Sequence, residues 1–412
     1  MNVGRVHGGA TGVSLRQVAA TLRRTTDALL LELAHPGTPQ PAWDEFEWRV
    51  ARVAAAIHGL SAWLAVHSRW RGPDAWQSFL HSQRHQTLSR ELQITEQLRA
   101  LDNLARRDRQ PVMLLKGAAM LTLGIHGAGE RPMSDIDLLV RDPQRAWLHE
   151  TLQHLGYAPS GGDERHDIFE RVDAIVPDGL GEVAGCPVRI EVHERVAERL
   201  PATRVDITAG LWPLAASGGL CGYVSRVALL RHLLLHTAGN MSTRWLRAMQ
   251  LLDLARVTAG FDDDDWRELV DVSGEASAPW WAYPPLRLMQ RVLGADVPEW
   301  LLSLTRRRCP RALAWQSEHR SVADFSGSHL WVGALPALAW SRTPVEMIRY
   351  AHARLCPGAT QLVHLAERVR RQPWGSEGAW YTHSQGARLR RWLISRPARP
   401  QVLHAVLRSL TA

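Results

Sequence analysis

Apolar residues recur at three-to-four spacing over residues 13–34, 43–69 and 74–108, interrupted by His35-Pro36-Gly37 and Arg71-Gly72-Pro73. That period lays one apolar stripe along a helix, so the pattern predicts helices almost throughout this stretch. Between 111 and about 195 the texture changes. Val112-Met113-Leu114-Leu115 is a short apolar run closed by Gly117, and Ile136-Asp137-Leu138-Leu139-Val140 is another, closed by Asp142-Pro143. Gln144 to Leu155 then reads as an amphipathic helix stopping at Gly156, and Ile168–Val176 and Val188–Val192 read as strands. Strands alternating with helices over so short a span predict a small α/β or α+β unit. From about residue 225 helical patterns return, as in Val227–His236, with breaks near Gly260, Pro284-Pro285, Pro310, Pro357-Gly358 and Pro373. No fixed-period repeat or low-complexity linker separates these parts.

The 412 residues are enough for two to three domains of about 150 residues. A hydrophobic share of 45% and a charged share of 22% describe an ordinary globular protein. No run of eighteen apolar residues occurs, so no membrane span is expected. Met1 to Gly9 carries no apolar segment, so no signal peptide is expected there. Cys186, Cys221, Cys309 and Cys356 lie too far apart for a zinc ribbon or a redox pair, and reduced cysteines in a cytoplasmic protein are the simplest expectation.

Charge narrows the classes further. Lys+Arg number 49 against 41 Asp+Glu, a net charge of +8, with no tail or block standing apart. A nucleic-acid partner is therefore not expected. Arg306-Arg307-Arg308 reads as a solvated helix end, and Asp262–Asp265 as acids loading a helix N-terminus. Inside the 49 is an imbalance: 48 are Arg and one is Lys, at position 116. A GC-rich coding bias explains the scarcity of lysine but not the position of the one that remains.

Lys116 lies among the residues that carry chemistry. Asp135-Ile136-Asp137 puts two carboxylates at i and i+2 of a predicted strand, hence on one face and about 7 Å apart. A third acid, Glu191, is centred in the apolar run Val188-Arg189-Ile190-Glu191-Val192, where it needs a metal or a cationic partner. His193 falls on the same face of that strand and supports the site or serves structure alone. Leu115-Lys116-Gly117 ends a strand and opens a helix, a place where backbone N–H groups can approach an anion. His232 and His236 share a helical face, yet Leu233 follows His232 where the metalloprotease pattern needs Glu, so a packing role is expected for them.

The ordered set resembles the polymerase-β-type nucleotidyltransferase superfamily, whose core has a glycine turn before a helix, then Asp-x-Asp, then a third acid. Leu115-Lys116-Gly117, Arg131 and Ser134-Asp135-Ile136-Asp137-Leu138-Leu139-Val140 are more closely similar to a poorly characterised family of bacterial nucleotidyltransferases, often associated with biosynthetic gene clusters. Ile190-Glu191-Val192-His193 and the later His232, His236, Arg244 and Asp253 fit its order. The resemblance covers roughly residues 95 to 260. Ala118 departs from the superfamily, many of whose members have Gly or Ser there, and the span from Gly117 to Asp135 is longer than in compact members.

The resemblance implies an α+β fold, a small mixed-sheet nucleotidyltransferase core over 109–198 flanked by an N-terminal helical region (1–108) and a C-terminal helical region (199–412). It further implies that Asp135, Asp137 and Glu191 are catalytic and hold two Mg²⁺ ions, while Lys116, Gly117, Arg131 and Ser134 bind a nucleoside triphosphate donor. A nucleoside monophosphate would pass to an acceptor hydroxyl or carboxyl of a peptide or small-molecule natural product, expelling pyrophosphate. The rival expectation is a catalytically silent nucleotide-binding or scaffold protein that keeps the fold, suggested by Ala118 and by long helical flanks without chemistry of their own.

Overall fold

The computed structural model describes residues 13–162, 166–172, 179–201, 203–213, 218–271, 279–358, 362, 384–395 and 397–411. Four helices come first: α1 (Leu15–Ala34), α2 (Glu45–Ile57), α3 (Ser61–His67) and α4 (Asp74–Arg107). Ser14 and Asp44 start α1 and α2 with capping boxes, each side chain accepting from the N–H three residues on while Gln17 or Glu47 reaches back. The predicted helix over 43–69 is two helices. The chain turns by 110° between α2 and α3, where Gly59 takes a φ of 69° that few other residues tolerate. No single described helix is long and apolar enough to cross a membrane.

The α/β part follows with β1 (Pro111–Leu114), α5 (Lys116–Thr122), β2 (Asp135–Leu139), α6 (Asp142–His154), β3 (Tyr157–Gly162), β4 (His166–Arg171) and β5 (Arg189–His193). A hairpin, β6 (Ala197–Leu200) with β7 (Thr203–Asp206), and a three-residue strand β8 (Gly219–Cys221) come next. Six of these strands form one mixed sheet in the order β3-β4-β5-β2-β1-β8. The pairs β2–β5 and β1–β8 are parallel; β1–β2, β4–β5 and β3–β4 are antiparallel. The fold is α+β, as expected, with helical regions at both ends of the chain.

Pattern explains most of this. Ile136, Leu138, Ile190 and Val192 line one face and pack on Ile94, Leu98 and Leu101 of α4 and on Leu148 and Leu152 of α6. Met113, Leu115 and Leu139 point the other way, into a larger core shared with α7 (Arg226–Thr243) and α8 (Ala248–Thr258). Each leucine fully buried on these seams is worth about 2 kcal/mol. Beyond them come α9 (Asp263–Asp271), α10 (Tyr283–Leu293), α11 (Glu299–Arg308), α12 (Arg311–His319), α13 (Pro344–Leu355) and helices over Gln385–Ser395 and Pro400–Thr411. The acidic run opens α9 and the triple arginine closes α11, both as their charge relative to the helix dipole predicts.

Some elements differ from the sequence reading. The strand expected over Ile168–Val176 is β4, which begins at His166 and ends at Arg171; residues 173–178 lie outside the described ones, as do the opening nine residues and the break at Pro373. Strand β3 was not expected, because it carries Pro159, Gly161 and Gly162. It runs at the sheet edge with a register shift at Pro159/Gly161, where such residues are tolerated. The four cysteines form no disulfide.

Candidate functional site

Strand alternation sends Asp135 and Asp137 to the face that also carries Leu139, while Ile136 and Leu138 enter the opposite core. Parallel pairing with β5 sets Asp137 beside Glu191 and Leu139 beside His193. Antiparallel pairing with β4 then sets His166 beside His193, their rings 5.0 Å apart between centroids. Three strands far apart in sequence thus deliver Asp135, Asp137, Glu191, His166 and His193 to one patch.

Asp137 is only 4% exposed, a costly place for a carboxylate without partners. Its Oδ1 has two: Lys116 Nζ at 2.7 Å and His193 Nε2 at 3.0 Å. An ionised carboxylate only accepts, so His193 donates from Nε2. Burial alone would raise the Asp137 carboxyl, but the Lys116 ammonium and His193 hold it well below the usual carboxylate range. Burial likewise works against the charge on Lys116; Asp137, Asp135 and Glu191 together outweigh it and raise the ammonium above its ordinary value. Glu191 Oε2 lies 3.7 Å from Nε2 of both His166 and His193.

Lys116 is also unusual in its backbone. Its φ of 43° is left-handed, a conformation that non-glycine residues rarely adopt and that the surroundings must impose. Its N–H is held by Tyr223, whose hydroxyl accepts from it at 3.0 Å and donates to His232 Nδ1 at 2.7 Å. Burial suppresses charging at both ends of that relay. It raises the Tyr223 phenol and drives the His232 imidazole well below its ordinary value, so the histidine is a neutral acceptor.

Behind the patch, Arg131 forks onto Asp253 with Nε at 2.8 Å and Nη2 at 2.9 Å, and His126 Nε2 meets the same carboxylate at 2.9 Å. Burial would raise the Asp253 carboxyl, yet Arg131 and His126 bring it down. Gly117 is part of this arrangement. A Cβ there would stand 2.7 Å from Arg131 Nη1 and 2.7 Å from Met133 Sδ, so the missing side chain admits Arg131. Ser134 is exposed on the approach to β2, its carbonyl accepting from the Arg189 N–H.

Of the residues singled out in the sequence, Lys116, Asp135, Asp137 and Glu191 share the patch, Gly117 and Arg131 adjoin it, and Ser134 stands at its rim. His232 and His236 do not converge on one ligand: His232 meets Tyr223, while His236 faces Glu198 and Asn240. The sequence reading missed His166, Tyr223 and His126. The donors present are carboxylate oxygens with two imidazoles, a set suited to a divalent cation. His166, Glu191 and His193 offer ligand atoms within 4.8 Å of one another. Among the described residues, an open depression is lined by Glu194, Arg195, Thr208 and Arg231, and none of the patch residues lines it.

A family model described as "uncharacterised nucleotidyltransferase" matches residues 44–294, more than half of the chain. No curated protein and no solved structure matches.

Proposed function

The chain belongs to the uncharacterised nucleotidyltransferase family, and we propose that it moves a nucleoside monophosphate from a nucleoside triphosphate to an acceptor hydroxyl or carboxyl in a Mg²⁺-dependent reaction. The observation that carries this reading is the pairing of Asp137 with Glu191 across parallel strands, with Asp135 two residues away on the same face. We read the core as polymerase-β-like. Asp135, Asp137 and Glu191 supply the all-oxygen donors that Mg²⁺ prefers. Bound there, Mg²⁺ supplies charge neutralisation of the triphosphate and of the departing pyrophosphate.

The chain's own groups do the rest. Lys116, held charged beside Asp137, is the ammonium that would neutralise a phosphate oxygen. Arg131, fixed by Asp253, lends positive potential behind Asp135 and Asp137 without moving. Glu191 takes the proton of an acceptor hydroxyl as its oxygen bonds to the α-phosphorus and the bond to the pyrophosphate oxygen breaks. A carboxylate acceptor needs no such base. We propose a peptide or small-molecule natural product as the acceptor and the cytoplasm as the place of the reaction.

Purified protein, labelled nucleoside triphosphates, Mg²⁺ and candidate acceptors test this. Transfer that Asp135→Asn and Asp137→Asn each abolish supports the reading. Absence of any Mg²⁺-dependent transfer, with nucleotide binding indifferent to loss of each carboxylate, supports the silent nucleotide-binding alternative.

A further inference from the structure

Glu191 Oε2 stands at the same 3.7 Å from Nε2 of His166 and Nε2 of His193. That is beyond hydrogen-bond reach, yet near the separation of about 3.4 Å between two ligands of a tetrahedral zinc with Zn–N bonds of about 2.0–2.1 Å. All three ligand atoms fall within 4.8 Å of one another, and an ion bound at His193 Nε2 replaces the proton which that nitrogen otherwise gives to Asp137. Each side chain springs from a paired strand position, His166 opposite His193 and Glu191 two residues before His193 on the same face, so the cluster is fixed by sheet register. Two imidazoles and one carboxylate are a poor set for Mg²⁺, which favours oxygen and water, and a good one for a borderline transition ion.

We propose that His166, Glu191 and His193 form a binding site for a divalent transition ion of the zinc class, sharing only Glu191 with an all-carboxylate Mg²⁺ position. The inference deepens the proposed transfer function by sharing Glu191 with it. It sets the ion preference of that half of the site: nitrogen donors make it selective for transition ions over Mg²⁺. His166 is thereby a metal ligand and not a bystander on β4.

The test uses the full chain, stripped of metal and titrated calorimetrically with Zn²⁺, Mn²⁺ and Mg²⁺ in parallel. One equivalent of Zn²⁺ is expected to bind at least about a hundredfold more tightly than Mg²⁺. His166→Ala and His193→Ala are each expected to weaken Zn²⁺ about tenfold or more, whereas Asp135→Asn should change it by less than about threefold. Co²⁺ as a spectroscopic substitute should give visible d–d absorption that collapses in His166→Ala. Circular dichroism and the thermal midpoint of each variant separate loss of a ligand from loss of the fold, and His166→Gln provides a second, bulk-preserving variant. Zn²⁺ binding no tighter than Mg²⁺, or equal in wild type and folded His166 variants, overturns the proposal. Zn²⁺ binding that depends on His166 in a protein without nucleotidyl transfer keeps this inference and removes the transfer reading. Mg²⁺-driven transfer by a protein that does not bind Zn²⁺ does the reverse.

Discussion

Lys116 Nζ lies 2.7 Å from Asp137 Oδ1, and the two side chains are 17% and 5% exposed. The chain's one lysine is thus spent on the deepest carboxylate of the patch. An ammonium is compact and can swing between Asp137 and a phosphate; a guanidinium is planar and broader, and 48 arginines elsewhere show that arginine was available. Lys116→Arg is expected to keep the fold, with an unchanged circular dichroism spectrum, and to lower kcat/KM for nucleotidyl transfer by about tenfold or more. Unchanged kinetics would make the position of the lysine incidental.

Tyr223→Phe removes a single oxygen that serves two buried groups, the Lys116 N–H and His232 Nδ1. Phenylalanine offers neither a replacement partner, so the cost is that of polar atoms left unsatisfied in a largely buried place, about 1–3 kcal/mol. Urea unfolding at neutral pH should show a lower midpoint at unchanged slope. Since the same oxygen holds the Lys116 N–H, turnover should fall along with stability.

Gly117→Ala introduces a methyl group 2.7 Å from Arg131 Nη1 and Met133 Sδ. Met133 can turn aside, but Arg131 is clamped by two hydrogen bonds to Asp253 and cannot. Overpacking of this kind costs about 1–3 kcal/mol. Asp253→Ala is expected to cost more, about 3–5 kcal/mol, because it leaves the Arg131 charge buried without its counter-ion. Denaturant unfolding of both variants gives the order.

Acid should begin to weaken the fold above the carboxylate range. His58 is 1% exposed; its Nδ1 accepts from the Ala248 N–H, so its Nε2–H donates to Ser328 Oγ. Burial pushes this imidazole down from 6.5 to about 4. A lowered histidine contributes stability in full above its unfolded value and loses it as pH falls through the folded one. The window is therefore pH 6.5 down to about 4, and the loss about 3 kcal/mol. Unfolding free energies measured at intervals from pH 7 to 4 should fall across that window, and His58→Gln should flatten the slope. A slope unchanged in His58→Gln would assign the acid sensitivity to other groups.

Local spacing carried much of this into the sequence. Asp135 and Asp137 share a face because strands have a period of two, and an acid inside Val188–Val192 stands out against apolar neighbours. Long helices were legible for the same reason, their period being written in each turn. What spacing cannot carry is register between strands. His166 meets His193 only because β4 runs antiparallel to β5 at one offset, and nothing near His166 encodes that offset. Tyr223 was equally hidden, and Asp253, though named, had no partner legible in the sequence, since each acts on a residue more than a hundred positions away. Strands β3 and β8 escaped for a different reason: one is interrupted by proline and glycine, and the other is three residues long.

The clamp on Arg131 and the hydroxyl under Lys116 have a consequence for inheritance. Both come from residues after 219, so the strands that bear the acids are not a cassette that recombination could lift into another scaffold. A chimera carrying this sheet alone would arrive with its lysine unpinned and its arginine unanchored. Moving this patch to another scaffold must therefore carry the sheet, the segment with Tyr223 and α8 as one block.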